Sequence, residues 1–226
     1  MSPEMLYSAS TWVLPVIIAI TLHEAAHGFA AYLLGDSTAW RLGRVSLNPL
    51  KHIDPFGTLL LPAMLLFLRA PFLFGYAKPV PVNFSALNHP RRDMVLVALA
   101  GPGMNLILAL LGAAILAATV YFSGGAEDGA ARLVAANALN FVLINIFLGV
   151  FNLLPVPPFD GGHVVQGLLP QPAAAAFARV GRYSLLVMVS LLLVLPQFGV
   201  DIVGRLISPI ADAILRFFLG IFGLSL

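Results

Sequence analysis

Residues 19–30 read AITLHEAAHGFA, and within them His23, Glu24 and His27 form a chemically capable set. On a helix, residues four apart project from one face, so the two imidazoles converge on a single point. Glu24 is rotated by about 100° from His23 and flanks that point without occupying it. This is the His-Glu-x-x-His arrangement of zinc hydrolases: two metal ligands and a general base that can take a proton from water. The chain has only five histidines and three glutamates, so the full pattern is a rare coincidence of scarce residues. A packing role, with the three groups satisfying one another inside a bundle, is the competing reading. The placement of the cluster in an apolar run disfavours it, because ionisable groups in a membrane are costly and mark function.

Two ligands require a third. The chain has no cysteine, so any metal must be held by His, Asp or Glu. Leu33 stands where a metzincin's third histidine would fall, and Glu127 lies in a polar loop. The informative stretch is FNLLPVPPFDGGHV, residues 151–164. There an apolar helix meets Pro155, Pro157 and Pro158, which remove amide donors and stop it. Helices broken at membrane depth line polar cavities, which makes Asp160 the leading third ligand. Asn152 carries an amide able to donate to a developing oxyanion. His163 is a weaker candidate, as a substitute ligand or a partner of Asp160. His52 and His89 sit among Pro, Asn and Arg and read as turn residues.

The elements that must position these groups are membrane elements. Of the 226 residues, 60% are hydrophobic and 10% charged, against about 25% charged in soluble domains. Sustained apolar runs cover residues 11–34, 94–122, 131–154, 183–199 and 202–222. The expected fold is therefore an all-α polytopic membrane protein of about five transmembrane helices, with residues 1–226 forming one integral membrane domain. Its catalytic core spans about 11–165 and its C-terminal helices about 183–222. The first run lacks a positive leader and continues past signal length, so it reads as a retained span.

A thirteen-residue run at 56–68, interrupted by Pro62, is short for a span of about 20 residues and suits a re-entrant segment. If it re-enters, residues 35–93 share one side with Arg41, Arg44, Lys51, Arg69, Lys78, Arg91 and Arg92. The positive-inside rule makes that side cytoplasmic. The Gly- and Pro-punctuated stretches near 41–47 and 76–84 suggest two short strands, a small membrane-associated β-region that could hold an unwound substrate by β-augmentation. Asp201, Arg205, Ser208, Asp212 and Arg216 form a polar stripe on the last run, compatible with a span or an interfacial helix. The net charge of +2 is dispersed, which gives no basic patch for nucleic acid.

HEAAH in the first span, followed downstream by NLLPVPPFDGG, resembles the site-2 protease family of intramembrane zinc metalloproteases, peptidase family M50. The family pattern is HExxH and a later NxxPxPxxDG, and both are present without departure. AGPGMN at 100–105 looks like the family's small-residue core span, and GRVSLNPLKHIDPFG at 43–57 is similar to its sheet region. The resemblance is to a minimal form without PDZ or CBS domains. It implies zinc held by His23, His27 and Asp160, with Glu24 as base and Asn152 as transition-state donor. It also implies a transmembrane or membrane-proximal protein substrate and a multi-pass location, with composition suggesting a prokaryotic cytoplasmic membrane. Three rivals fit less well. A prenyl-protein-processing protease needs a downstream glutamate ligand, and a zinc transporter needs ligands along other spans. A dead scaffold would have lost Glu24 or a ligand.

Overall fold

In lipid every backbone amide must find its partner within its own helix, and the computed structural model is accordingly built of helices. It describes residues 3–60, 64, 67, 78–125 and 129–224. We name the helices α1 (Pro3–Leu33), α2 (Thr38–Arg41), α3 (Pro90–Ser123), α4 (Gly129–Asn152), α5 (Asp160–Leu168), α6 (Gln171–Gln197) and α7 (Ser208–Ile221). Four helices are long and apolar enough to cross a membrane: Ser10–Leu33 within α1, then α3, α4 and α6.

This corrects the expectation of five spans. The run at 202–222 forms α7 and a helical turn before it, but among the described residues it is not a spanning helix. The charges Arg205, Asp212 and Arg216 interrupt its apolar character, while Ile207, Leu215 and Leu219 are buried against the bundle. Conversely, the fourth span begins at Gln171, ahead of the expected 183, so Arg179 and Arg182 lie within the helix and not in a loop before it. Of the 56–68 run, residues 61–63, 65, 66 and 68 lie outside the described residues, and so does Glu127.

The α3–α4 pair forms the main core. Ala109, Gly112 and Ala113 of α3 let the backbone of α4 approach closely. A Cβ on Gly112 would lie 3.0 Å from both Phe141 and Val142. Small residues serve this purpose in membranes, where association rests on packing rather than on burial from water. Val142, Ile146 and Val150 complete the layer, with Leu154 and Phe159 beneath it.

Between α1 and α3 the chain folds as a collar at one end of the bundle. Gly35 has φ +110, a conformation that favours glycine, and it lets the chain turn out of α1. Asp36, only 1% exposed, then accepts the backbone N–H of Thr38 at 2.9 Å and of Asn83 at 2.7 Å. Asn88 N–H donates to Leu34 C=O at 2.8 Å, and Lys78 N–H to His52 C=O at 2.9 Å. The end of α1 therefore meets the approach to α3, and His52 meets Lys78.

The expected β-region is absent: no strand occurs among the described residues. Residues 42–47 form turns after α2, and residues 78–83 have no regular structure. The reason lies in the donors. Pro79 and Pro81 remove the amides of one edge of the 78–83 segment. On the other edge Lys78 donates to His52 and Val80 to the side chain of Glu24, so too few amides remain for a ladder.

Candidate metal centre

His23 and His27 both lie buried on one face of α1. Their Nε2 atoms are 3.1 Å apart. Asp160 opens α5, directly after the proline-broken end of α4, and reaches back into the bundle. Its Oδ2 lies 3.3 Å from His23 Nε2 and its Oδ1 lies 3.3 Å from His27 Nε2. These three are the group of His, Asp or Glu side chains among the described residues that converges as a metal site would require.

The arrangement fits zinc. A tetrahedral ion with ligands at about 2.0–2.1 Å separates its donor atoms by about 3.3 Å; the two Nε2 atoms are 3.1 Å apart, and each has one of the two Asp160 oxygens at 3.3 Å. Asp160 Oδ2 is buried with no hydrogen-bond partner, an orphaned acceptor of the kind that a cation satisfies. Burial alone would raise the Asp160 carboxyl pKa, but the two imidazoles beside it hold it below the usual carboxylate range.

Each candidate ligand is seated by a neighbour. His27 Nδ1 meets the backbone carbonyl of Val97 on α3 at 2.8 Å, and His23 Nδ1 meets Asn105 Oδ1 at 2.6 Å. Both imidazoles lie over Gly101 of α3. A Cβ there would stand 2.6 Å from His23 Cε1 and collide with His27 Nε2. Gly103, two residues on, has nothing within 4 Å of its Cβ position. On the Asp160 side, a Cβ on Gly161 would collide with the carbonyls of Leu153 and Leu154. One on Gly162 would come within 2.9 Å of the Pro157 nitrogen. The glycines after Asp160 thus let α5 begin tight against the Pro-rich turn, which contains a cis Pro157–Pro158 bond.

Glu24 adjoins His23 on α1, half-buried, and its Oε2 accepts the Val80 N–H at 2.7 Å. Asn152, in the last turn of α4, donates one amide hydrogen to Leu148 C=O at 3.0 Å. An amide carries two. His163 stacks at 5.2 Å on Phe84, outside the three-ligand group. Burial lowers its imidazole pKa below the ordinary value. His52 Nε2 donates to Ser46 C=O at 2.9 Å, as a packed turn residue, and His89 precedes α3.

The supporting cast was only partly visible in the sequence, where Asn105 could approach the site although nothing local required it. Asn105 was visible as a polar residue in an apolar span, as was Asn145, and such residues earn suspicion on cost alone. Gly101 read as a helix-packing glycine, and it proves to be the floor beneath the imidazoles. The Val97 carbonyl carries no sequence signal at all.

Comparison with known proteins gives the family. Residues 124–195, which include Asn152 and Asp160, match the family model described as "Peptidase family M50". The chain is 37% identical over 212 residues to the Bacillus subtilis protein named "Putative zinc metalloprotease YwhC", spanning 93% of this chain and 91% of that one. It is 30% identical over 183 residues to "Putative zinc metalloprotease Rip2" of Mycolicibacterium smegmatis, spanning 78% of this chain and 64% of that one. No solved structure matches the chain.

Proposed function

The chain belongs to peptidase family M50 and is a zinc metalloprotease, and on that premise we propose that it is an intramembrane endopeptidase centred on His23, Glu24, His27 and Asp160. The observation that carries this reading is the convergence of the two imidazoles, Nε2 to Nε2 at 3.1 Å, with the Asp160 carboxylate, one oxygen of which lies 3.3 Å from each, both histidines being inside a helix long and apolar enough to cross a membrane. The substrate is a transmembrane or membrane-proximal protein segment. The protein sits in the cytoplasmic membrane of a prokaryote, with the basic collar around Arg41, Arg44, Lys51 and Lys78 facing the cytoplasm.

His23, His27 and Asp160 hold the metal. When bound, zinc polarises a peptide carbonyl and brings the pKa of water from about 15.7 to about 7. Glu24 accepts the proton of the attacking water and delivers it to the departing amine. One of its oxygens is fixed by the Val80 amide, and a carboxylate retains further lone pairs for water. Asn152 donates its second amide hydrogen to the oxyanion. A helical substrate hides its carbonyls in its own hydrogen bonds, so it must unwind locally before any of these groups can act.

The test is cleavage in liposomes containing single-span protein substrates. The wild type cuts and loses activity to a zinc chelator. Glu24→Gln keeps zinc and fold but does not turn over, since only the proton acceptor is removed. Substantial turnover by Glu24→Gln would exclude Glu24 as the base.

A further inference from the structure

Two asparagines inside the bundle form a chain that ends on a metal ligand. Asn145 of α4 donates its amide to the backbone carbonyl of Phe141 at 2.8 Å. Asn105 of α3 donates to Asn145 Oδ1 at 2.8 Å and lies 3.5 Å from the Ala19 carbonyl of α1. Asn105 Oδ1 then lies 2.6 Å from His23 Nδ1. Both asparagines are 0% exposed.

The polarity of this chain is not free. A backbone carbonyl only accepts, so Phe141 requires the NH₂ of Asn145 to face it. Asn145 therefore turns its oxygen toward Asn105, which must answer with its own NH₂. That leaves the Asn105 oxygen facing His23, and an oxygen can only accept. His23 Nδ1 must carry the hydrogen, and its lone pair is then on Nε2, the atom that faces His27 and Asp160. A reversed amide anywhere in the chain would set two donors or two acceptors against each other where no water can relieve them.

We infer that Asn105, with Asn145 behind it, is a positioning residue that fixes the tautomer and ring orientation of His23 for metal binding. His27 needs no such relay, because the Val97 carbonyl sets its Nδ1 directly. The inference rests on the reading that His23, His27 and Asp160 hold zinc. It adds to that reading a link from α4 through α3 to α1, so that one ligand depends on the packing of three helices. Partners that orient a metal-bound histidine typically alter metal affinity by about 10- to 100-fold when removed.

The experiment measures zinc affinity by chelator competition on the full chain in bilayers, with 15N-histidine spectra of the zinc-loaded protein. His23→Ala first checks the underlying reading: if it retains zinc at wild-type affinity, the ligand set is wrong, whatever Asn105 does. Asn105→Leu should weaken zinc by about 10- to 100-fold, and Asn145→Leu, which touches neither histidine, by about 10-fold. Asn105→Asp keeps an acceptor for His23 and should bind zinc about ten-fold or more tightly than Asn105→Leu. Its melting temperature should nonetheless be no higher, because it buries a carboxylate and loses the donor to Asn145. A purely structural role predicts that zinc affinity follows melting temperature across the three variants. In the wild type, His23 should show a metal-shifted Nε2 and an exchange-protected Nδ1–H, and this arm stands even where a variant fails to fold. Metal bound through Nδ1 of His23, wild-type affinity in either leucine variant, or equal weakening by Asn105→Asp and Asn105→Leu would overturn the inference.

Discussion

The two halves of the metal centre reach the same point by opposite means. His23 and His27 sit on an unbroken span, where helix periodicity alone puts them on one face. Asp160 sits where a span has ended, on the first residue of a nine-residue helix that follows a Pro-rich turn. The first half needs room and orientation from its neighbours: the bare Cα of Gly101, the Val97 carbonyl and Asn105. The second needs a turn tight enough to carry the carboxylate back, which Gly161 and Gly162 permit against Leu153, Leu154 and Pro157. A ligand pair on a rigid helix is vulnerable to what packs over it. A ligand on a turn is vulnerable to the turn itself.

The largest expected effect breaks the rigid half from outside. Gly101→Ala places a methyl group within 2.6 Å of His23 Cε1 and into His27 Nε2. Zinc affinity should fall by more than the about 100-fold typical of outer-shell changes, while Gly103→Ala, with open space around its Cβ, should keep wild-type zinc content and rate. Metal analysis of the two purified variants makes the comparison. Equal zinc content in both would show that the imidazoles do not lie over Gly101.

The next effect concerns rate rather than metal. Asn152→Ala should retain zinc and thermal stability while losing about 10²–10³ in turnover, as removal of an oxyanion donor does elsewhere. Asn152→Asp should be worse, since it adds negative charge beside the oxyanion. Zinc content, melting temperature and cleavage rate measured together decide between this and a packing role through Leu148, which would lower stability first.

These contrasts also explain how much could be read from the sequence. The spans were legible as apolar runs, and the histidine pair from its four-residue spacing. Asp160 was legible because three prolines next to an acid and two glycines are out of place at the end of an apolar helix. Helix facing was not legible. Helices apolar on all sides carry no periodicity to say which residues meet, so the contacts of Asn105, Asn145 and Val97 emerged only in the packed bundle. Of the strands expected at 41–47 and 76–84, the first is replaced by turns and bends after α2, and at 78–83 Pro79 and Pro81 lack amide donors while Val80 spends its own on Glu24. The fifth span failed because its polar stripe, Asp201 to Arg216, outweighs its apolar face.

The smaller predictions test the collar that joins the halves. Asp36→Ala leaves the Thr38 and Asn83 amides without their acceptor and should cost about 1–3 kcal/mol of stability. Burial would raise the Asp36 carboxyl pKa, but the side-chain and backbone bonds from Thr38 and the backbone bond from Asn83 hold it below its ordinary 3.8. A lowered folded-state pKa means that the stabilisation is fully present above pH 3.8 and is lost as pH falls through the folded value. The melting-temperature gap between wild type and Asp36→Ala should therefore be constant near neutrality and close in acid. Engineered cysteines replacing Lys51 and Lys78, whose backbones lie in one hydrogen-bonded cluster, should label from the same side with an impermeant thiol reagent. Labelling from opposite sides would dismantle the collar.

The central claim is that the rigid and the turn-borne halves meet on one metal ion. Zinc content of the purified wild type, Asp160→Ala and His163→Ala, measured side by side, tests it most directly. The account predicts one zinc per chain in the wild type and in His163→Ala, and loss of zinc in Asp160→Ala. Full zinc retention in Asp160→Ala together with its loss in His163→Ala would contradict it.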